Sequence, residues 1–133
     1  MVVERRRQLV RERAGNRCEY CGLPQAAARF LAFHVEHIRA RQHGGSDDPD
    51  NLALACPDCN CHKGPNLTGI DPLSDEYVQL FNPRTNLWKE HFAVDGPFVV
   101  GKSSIGRATV ALLDMNEPER VEMRAELLQN GDL

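Results

Sequence analysis

Apolar and polar positions alternate clearly in only a few places along this chain. Val3, Leu9, Val10 and Ala14 recur at helical spacing with arginines between them, which predicts a helix over 3–14 that stops at Gly15-Asn16. The run Leu31–Ile38, LAFHVEHI, reads as a strand in which His34, Glu36 and Ile38 point one way and Phe33, Val35 and His37 the other. Residues 51–55, NLALA, make a second short strand, so the two form a hairpin with a long loop through Gly44-Gly45 and the acidic stretch 46–50. A helix follows, with Pro57 in its first turn and Gly64-Pro65 at its end, and Ala26–Phe30 is left as a short helical turn or irregular link.

Beyond residue 65 the pattern is weaker. Tyr77–Phe81 reads as a strand, Leu87–Phe92 as a short helix packed by Trp88 and His91, and Val94 with Phe98–Val100 as strand pieces around Asp95-Gly96-Pro97. Ile105–Leu113 and Glu117–Leu128 read as two helices broken near Pro118. The fold class is therefore α+β. Residues 1–65 would form a small core and 66–133 an extension packed on it within the same domain.

Composition narrows the class without naming it. The chain has 133 residues, 41% of them hydrophobic and 26% charged, which is ordinary for a globular domain. No stretch approaches the roughly 20 apolar residues that span a bilayer, and no apolar run follows the basic start, so no membrane partner and a cytoplasmic location are expected. The net charge of -3 hides an asymmetry: residues 1–45 hold nine Arg against four acidic groups, while the rest is acidic. An arginine-rich third can present a positive face to a polyanion.

Five cysteines at 18, 21, 56, 59 and 61 argue against a disulfide framework, because their number is odd and no secretion signal precedes them. Two Cys-x-x-Cys pairs separated by 34 residues point instead to one zinc ion held by Cys18, Cys21, Cys56 and Cys59. Four thiolates leave no open coordination position, so that zinc is structural. Cys61 is spare and reads as a small buried hydrophobe.

A passive zinc module has no need of the polar residues between the two pairs. If the helix packs across the hairpin, Glu36 and Asn60 offer oxygen ligands for magnesium or manganese. His37 has a side chain suited to taking a proton from water near neutral pH. From these residues alone, phosphodiester hydrolysis, a zinc-stabilised nucleic-acid-binding module and an interaction scaffold all remain open.

The segments R13-A-G-N-R-C-E-Y-C-G22, H34-V-E-H-I38, H43-G-G45, N51-L-A-L-A-C-P-D-C-N60 and K63-G64 together resemble the HNH endonucleases, the zinc-bearing branch of the ββα-metal (His-Me finger) nucleases. L80-F-N-P-R84, W88-K-E-H-F92 and G106-R-A-T-V110 resemble the C-terminal extension of small bacterial members. The resemblance implies cleavage of double-stranded DNA with one catalytic divalent ion, leaving 5′-phosphate and 3′-hydroxyl ends. In it His37 matches the general base, Glu36 the acidic metal ligand, Asn60 the second metal ligand, and Asn51 the residue that braces the long loop and helps orient the histidine. His34 shares the Glu36 face as a secondary metal ligand or phosphate contact. Arg39, Arg41, His43, His62 and Lys63 are the candidate DNA contacts; a monomer and a homodimer are both compatible with the sequence.

Overall fold

The computed structural model describes residues 2–133, which divide after Leu67 into two compact units. The α+β class and the ββα core hold, with further strands and helices in the C-terminal half.

The first unit is built on a hairpin. Strand β1 (His34–His37) pairs antiparallel with β2 (Leu52–Ala55), placing Glu36 opposite Ala53 and His37 opposite Leu52. The ladder extends one step further through Ile38, whose N–H donates to the Asn51 carbonyl at 2.8 Å. Helix α1 (Glu4–Arg13) and helix α2 (Pro57–Lys63) both pack on this pair, and every residue of β2 is buried.

The apolar positions of α1 do not form the expected stripe. Val10 is buried, but Val3 and Leu9 are largely exposed. The helix is tethered instead by its arginines: Arg13 donates to the Leu52 carbonyl at 2.7 Å and Arg6 to the Asp47 carbonyl at 2.8 Å. Such bonds to backbone carbonyls fix a helix without periodicity, and so leave little trace in the hydropathy pattern.

The long hairpin loop is closed by one side chain. The Asn51 amide accepts from Arg39 N–H at 2.9 Å and donates to the Arg39 and Ser46 carbonyls at 3.0 and 2.8 Å. Gly45 is needed beneath it, since a Cβ there would lie 1.7 Å from the Arg39 carbonyl oxygen.

The second unit holds two further hairpins, β3 (Thr68–Ile70) with β4 (Tyr77–Gln79), and β5 (Phe92–Asp95) with β6 (Phe98–Gly101). Helix α3 (Trp88–His91) leads into β5, α4 (Ser104–Leu112) packs on both hairpins, and α5 (Pro118–Gln129) ends the chain. β3 has no counterpart in the sequence reading, because three residues centred on Gly69 carry no alternation; that glycine lets Leu80 and Ala108 approach closely. Gly106 in α4 lies against the His91 carbonyl, where a Cβ would sit 1.9 Å away.

Candidate active site

Two Cys-x-x-Cys turns converge beside the hairpin. The turn after Cys18 is completed by Gly22 at φ +82°, and the Cys21 N–H points at the Cys18 sulfur at 3.5 Å. The second pair repeats this arrangement, with the Cys59 N–H 3.4 Å from the Cys56 sulfur at the start of α2. All four sulfurs lie within 4.8 Å of one another and all four residues are buried. A tetrahedron with metal–sulfur bonds of about 2.3 Å has edges of about 3.8 Å; Cys21 and Cys56 Sγ stand 3.7 Å apart. Burial raises the Cys18 thiol and hydrogen bonding with the neighbouring thiols raises Cys59, while the hydrogen bond with Cys18 lowers Cys56; a cation among them would favour thiolate throughout. The donor set fits zinc. Cys61, expected to be buried, is exposed instead: it lies one residue past Asn60, off the face that carries Cys59 and Lys63 inward.

The two residues between Cys18 and Cys21 stitch this cluster to the hairpin. Glu19 donates its N–H to the Leu54 carbonyl and accepts the Leu54 N–H on its carboxylate, both at 2.8 Å. Tyr20, 1% exposed, sends its hydroxyl to Glu36 Oε1.

Glu36 is accordingly an interior carboxylate. It is 7% exposed, and its second oxygen accepts from Lys63 Nζ at 3.1 Å. Lys63 is itself only 2% exposed and also donates to the His37 and Ile38 carbonyls at 3.3 and 2.9 Å. Burial raises the Glu36 pKa, opposed by the Lys63 charge and the Tyr20 hydrogen bond; burial and the neighbouring carboxylate likewise raise that of Tyr20. Lys63 is thus committed inside the unit, away from the surface where a phosphate contact was expected.

His37 projects elsewhere. Its side chain is 20% exposed and Nε2 lies 2.7 Å from Asp47 Oδ1. Arg41 grips both oxygens of Asp47 at 2.9 and 3.1 Å. The hydrogen bond with His37 and the Arg41 contacts hold the Asp47 carboxyl down at about 2. An ionised Asp47 accepts from Nε2–H, which fixes the neutral ring as the tautomer with its lone pair on Nδ1. Asp47 is the residue that sequence reasoning missed. Its only signal was an acidic side chain in a loop ten residues past the histidine, and the loop conformation alone brings it back to the ring.

The remaining candidates are dispersed. Asn60 is half-buried on α2, three residues before Lys63 and so about 60° from it around the helix. His34, His43 and His62 are exposed. Arg39 donates to the His43 carbonyl at 2.6 Å and shapes the loop. Among the described residues, no second group of three or more His, Cys, Asp or Glu ligands converges.

A hard divalent cation needs oxygen lone pairs turned toward it. Both Glu36 oxygens already accept, one of them from an ammonium group. As arranged, each Glu36 oxygen carries one donor, and the Lys63 ammonium beside Oε2 opposes a second cation there.

Residues 18–66 match the family model described as HNH endonuclease. No curated protein and no solved structure matches the chain at a significant level. Among the described residues, no helix is long and apolar enough to cross a membrane.

Proposed function

We propose that this chain, whose residues 18–66 are an HNH-type segment, is an endonuclease that hydrolyses DNA phosphodiester bonds with His37 as general base. One observation carries the reading. The Nε2 side of the imidazole is anchored on an ionised carboxylate, which in the neutral form of this partly exposed ring directs the lone pair to Nδ1. A histidine that served only packing would not require that combination.

The reaction follows from the proton positions. Water beside the scissile phosphate gives a proton to His37 Nδ1 as its oxygen attacks phosphorus. The bond from phosphorus to the 3′ oxygen breaks, leaving a 5′-phosphate and, after protonation, a 3′-hydroxyl. The imidazolium formed is stabilised by Asp47, and Arg41 keeps Asp47 in place. The nine arginines of residues 1–45 favour a polyanionic substrate, with contacts that weaken as salt rises.

The test is incubation of the purified protein with supercoiled plasmid and Mg²⁺ or Mn²⁺, beside EDTA and His37→Ala controls. Nicking by the wild type, lost in His37→Ala while a mobility shift on duplex DNA persists, supports the reading. A mobility shift without nicking leaves a zinc-stabilised DNA-binding module in its place. Since a chelator also strips the four-cysteine site, the requirement for Mg²⁺ or Mn²⁺ is read by comparing lanes with and without the added ion at constant zinc content.

A further inference from the structure

The Tyr20–Glu36–Lys63 contacts close a ring. Tyr20 lies inside the first Cys-x-x-Cys pair, and Lys63 lies on the helix that begins at the second. The two side chains reach the same carboxylate from opposite ends: the Tyr20 hydroxyl binds Oε1 and the Lys63 ammonium binds Oε2. The circuit runs from the first pair through Tyr20, Glu36, Lys63 and α2 to the second pair, and the four sulfurs complete it. Lys63 adds two bonds to carbonyls of the same strand end, one of them on His37 itself.

This network is more than a tidy way to bury polar groups. Tyr20 is almost fully enclosed, so its ring fills the interior while its hydroxyl is directed to Glu36. Leaving a buried carboxylate short of a donor is costly, so Glu36 holds one orientation while both donors stay in place. Glu36 directly precedes His37, and Lys63 fixes the carbonyls of His37 and Ile38. The separation of the two donors is set by the four-cysteine cluster.

We infer that Tyr20 and Lys63 are positioning residues, through which the four-cysteine cluster clamps Glu36 and thereby sets the placement of the His37 imidazole. The inference rests on the nuclease reading for its consequence and on the hydrogen-bond circuit for its existence. The structural metal then serves two ends, holding the unit folded and holding the base in register.

Tyr20→Phe removes the hydroxyl alone. Three measurements on the full-length variant decide the matter: zinc content, the ¹⁵N and ¹H resonances of the His37 ring, and steady-state cleavage of a duplex. The expected result is one zinc per chain, displaced His37 ring and Glu36–Ile38 amide resonances, and a kcat about tenfold lower with KM for DNA unchanged. A double variant with Glu36→Gln should then be no slower than the slower single variant, because both changes open one circuit. Unmoved His37 resonances would overturn the inference. So would activity lost only in proportion to zinc, which would make Tyr20 a filler of the turn. If the wild type cuts no DNA but Tyr20→Phe still displaces His37, the clamp stands and the nuclease reading falls.

Discussion

The two halves of this chain solve the same problem with different means. Residues 68–133 bury Leu80, Phe81, Phe92, Val99, Ala108, Leu113 and Met115, a conventional apolar core for their length. Their buried charges finish the ends of elements. Arg120 donates to the Leu113 and Asp114 carbonyls at 2.7 and 2.9 Å, and Arg124 to the Met115 carbonyl at 2.6 Å, satisfying groups that the end of α4 leaves open. Asp71 takes a bidentate Arg107 at 2.9 and 2.8 Å. Residues 2–67 bury an apolar set of their own, including Val10, Tyr20, Phe33, Leu52 and Leu54, and add to it four cysteines and a carboxylate paired with an ammonium. What sets this unit apart is the four-cysteine cluster, which can add metal coordination to the burial of apolar area. Packing alone holds one half; the other joins packing to a metal-ligating cluster.

Removing the metal should separate the halves most sharply. Structural zinc sites are worth roughly 10–16 kcal/mol in small metal-dependent domains. Chelator, or a Cys59→Ser substitution, should abolish amide protection in residues 2–67 while leaving that of 68–133 in place. Peptide-resolved hydrogen exchange reads this, and simultaneous loss in both halves would break the comparison.

The next effect is chemical. His37→Ala should lower plasmid cleavage by about 10²- to 10⁴-fold, the usual contribution of a general base, with an unchanged melting curve and DNA mobility shift. Equal losses in cleavage and binding would remove His37 from its role.

A complementary change belongs to the other half. Asp71→Asn should lower the melting temperature of 68–133 by several degrees, leaving the zinc content untouched. The Arg107 guanidinium holds the Asp71 carboxyl well below its usual range. Its stabilisation is therefore complete above the unfolded value of about 3.9 and is lost as pH falls through the lower folded value. Acid titration of the wild type, followed by hydrogen exchange, should show this component complete above about pH 4 and declining progressively below it.

The smallest effect sharpens the view of the site. Asp47→Asn places an amide N–H beside His37 Nε2 and favours the tautomer with its proton on Nδ1. Cleavage should fall about tenfold, a fraction of the base's full contribution, with the fold intact. The ¹⁵N shifts of the ring report the tautomer directly, and an unaltered tautomer would sever Asp47 from the mechanism.

Much of the first unit was legible because its signals are local. Two Cys-x-x-Cys turns, a short alternating strand with His37 and a proline-started helix each declare themselves within a few residues, and the structure keeps β1, β2 and α2 within a few residues of the expected bounds. The second unit was legible in its helices and in the β5–β6 turn, and illegible at β3, where Gly69 serves a close approach that only its neighbours reveal.

The sequence by itself determined the four-cysteine cluster and the ββα order, since spacing along the chain constrains turns and strands directly. Tertiary structure alone decided the rest. It turned Glu36 and Lys63 inward to meet each other, closed Tyr20 over the carboxylate, and carried Asp47 back to the imidazole. Those pairings join residues 10 to 27 positions apart through side-chain rotamers and loop closure. No local periodicity encodes them, because what selects them is the cost of leaving a buried charge without a partner.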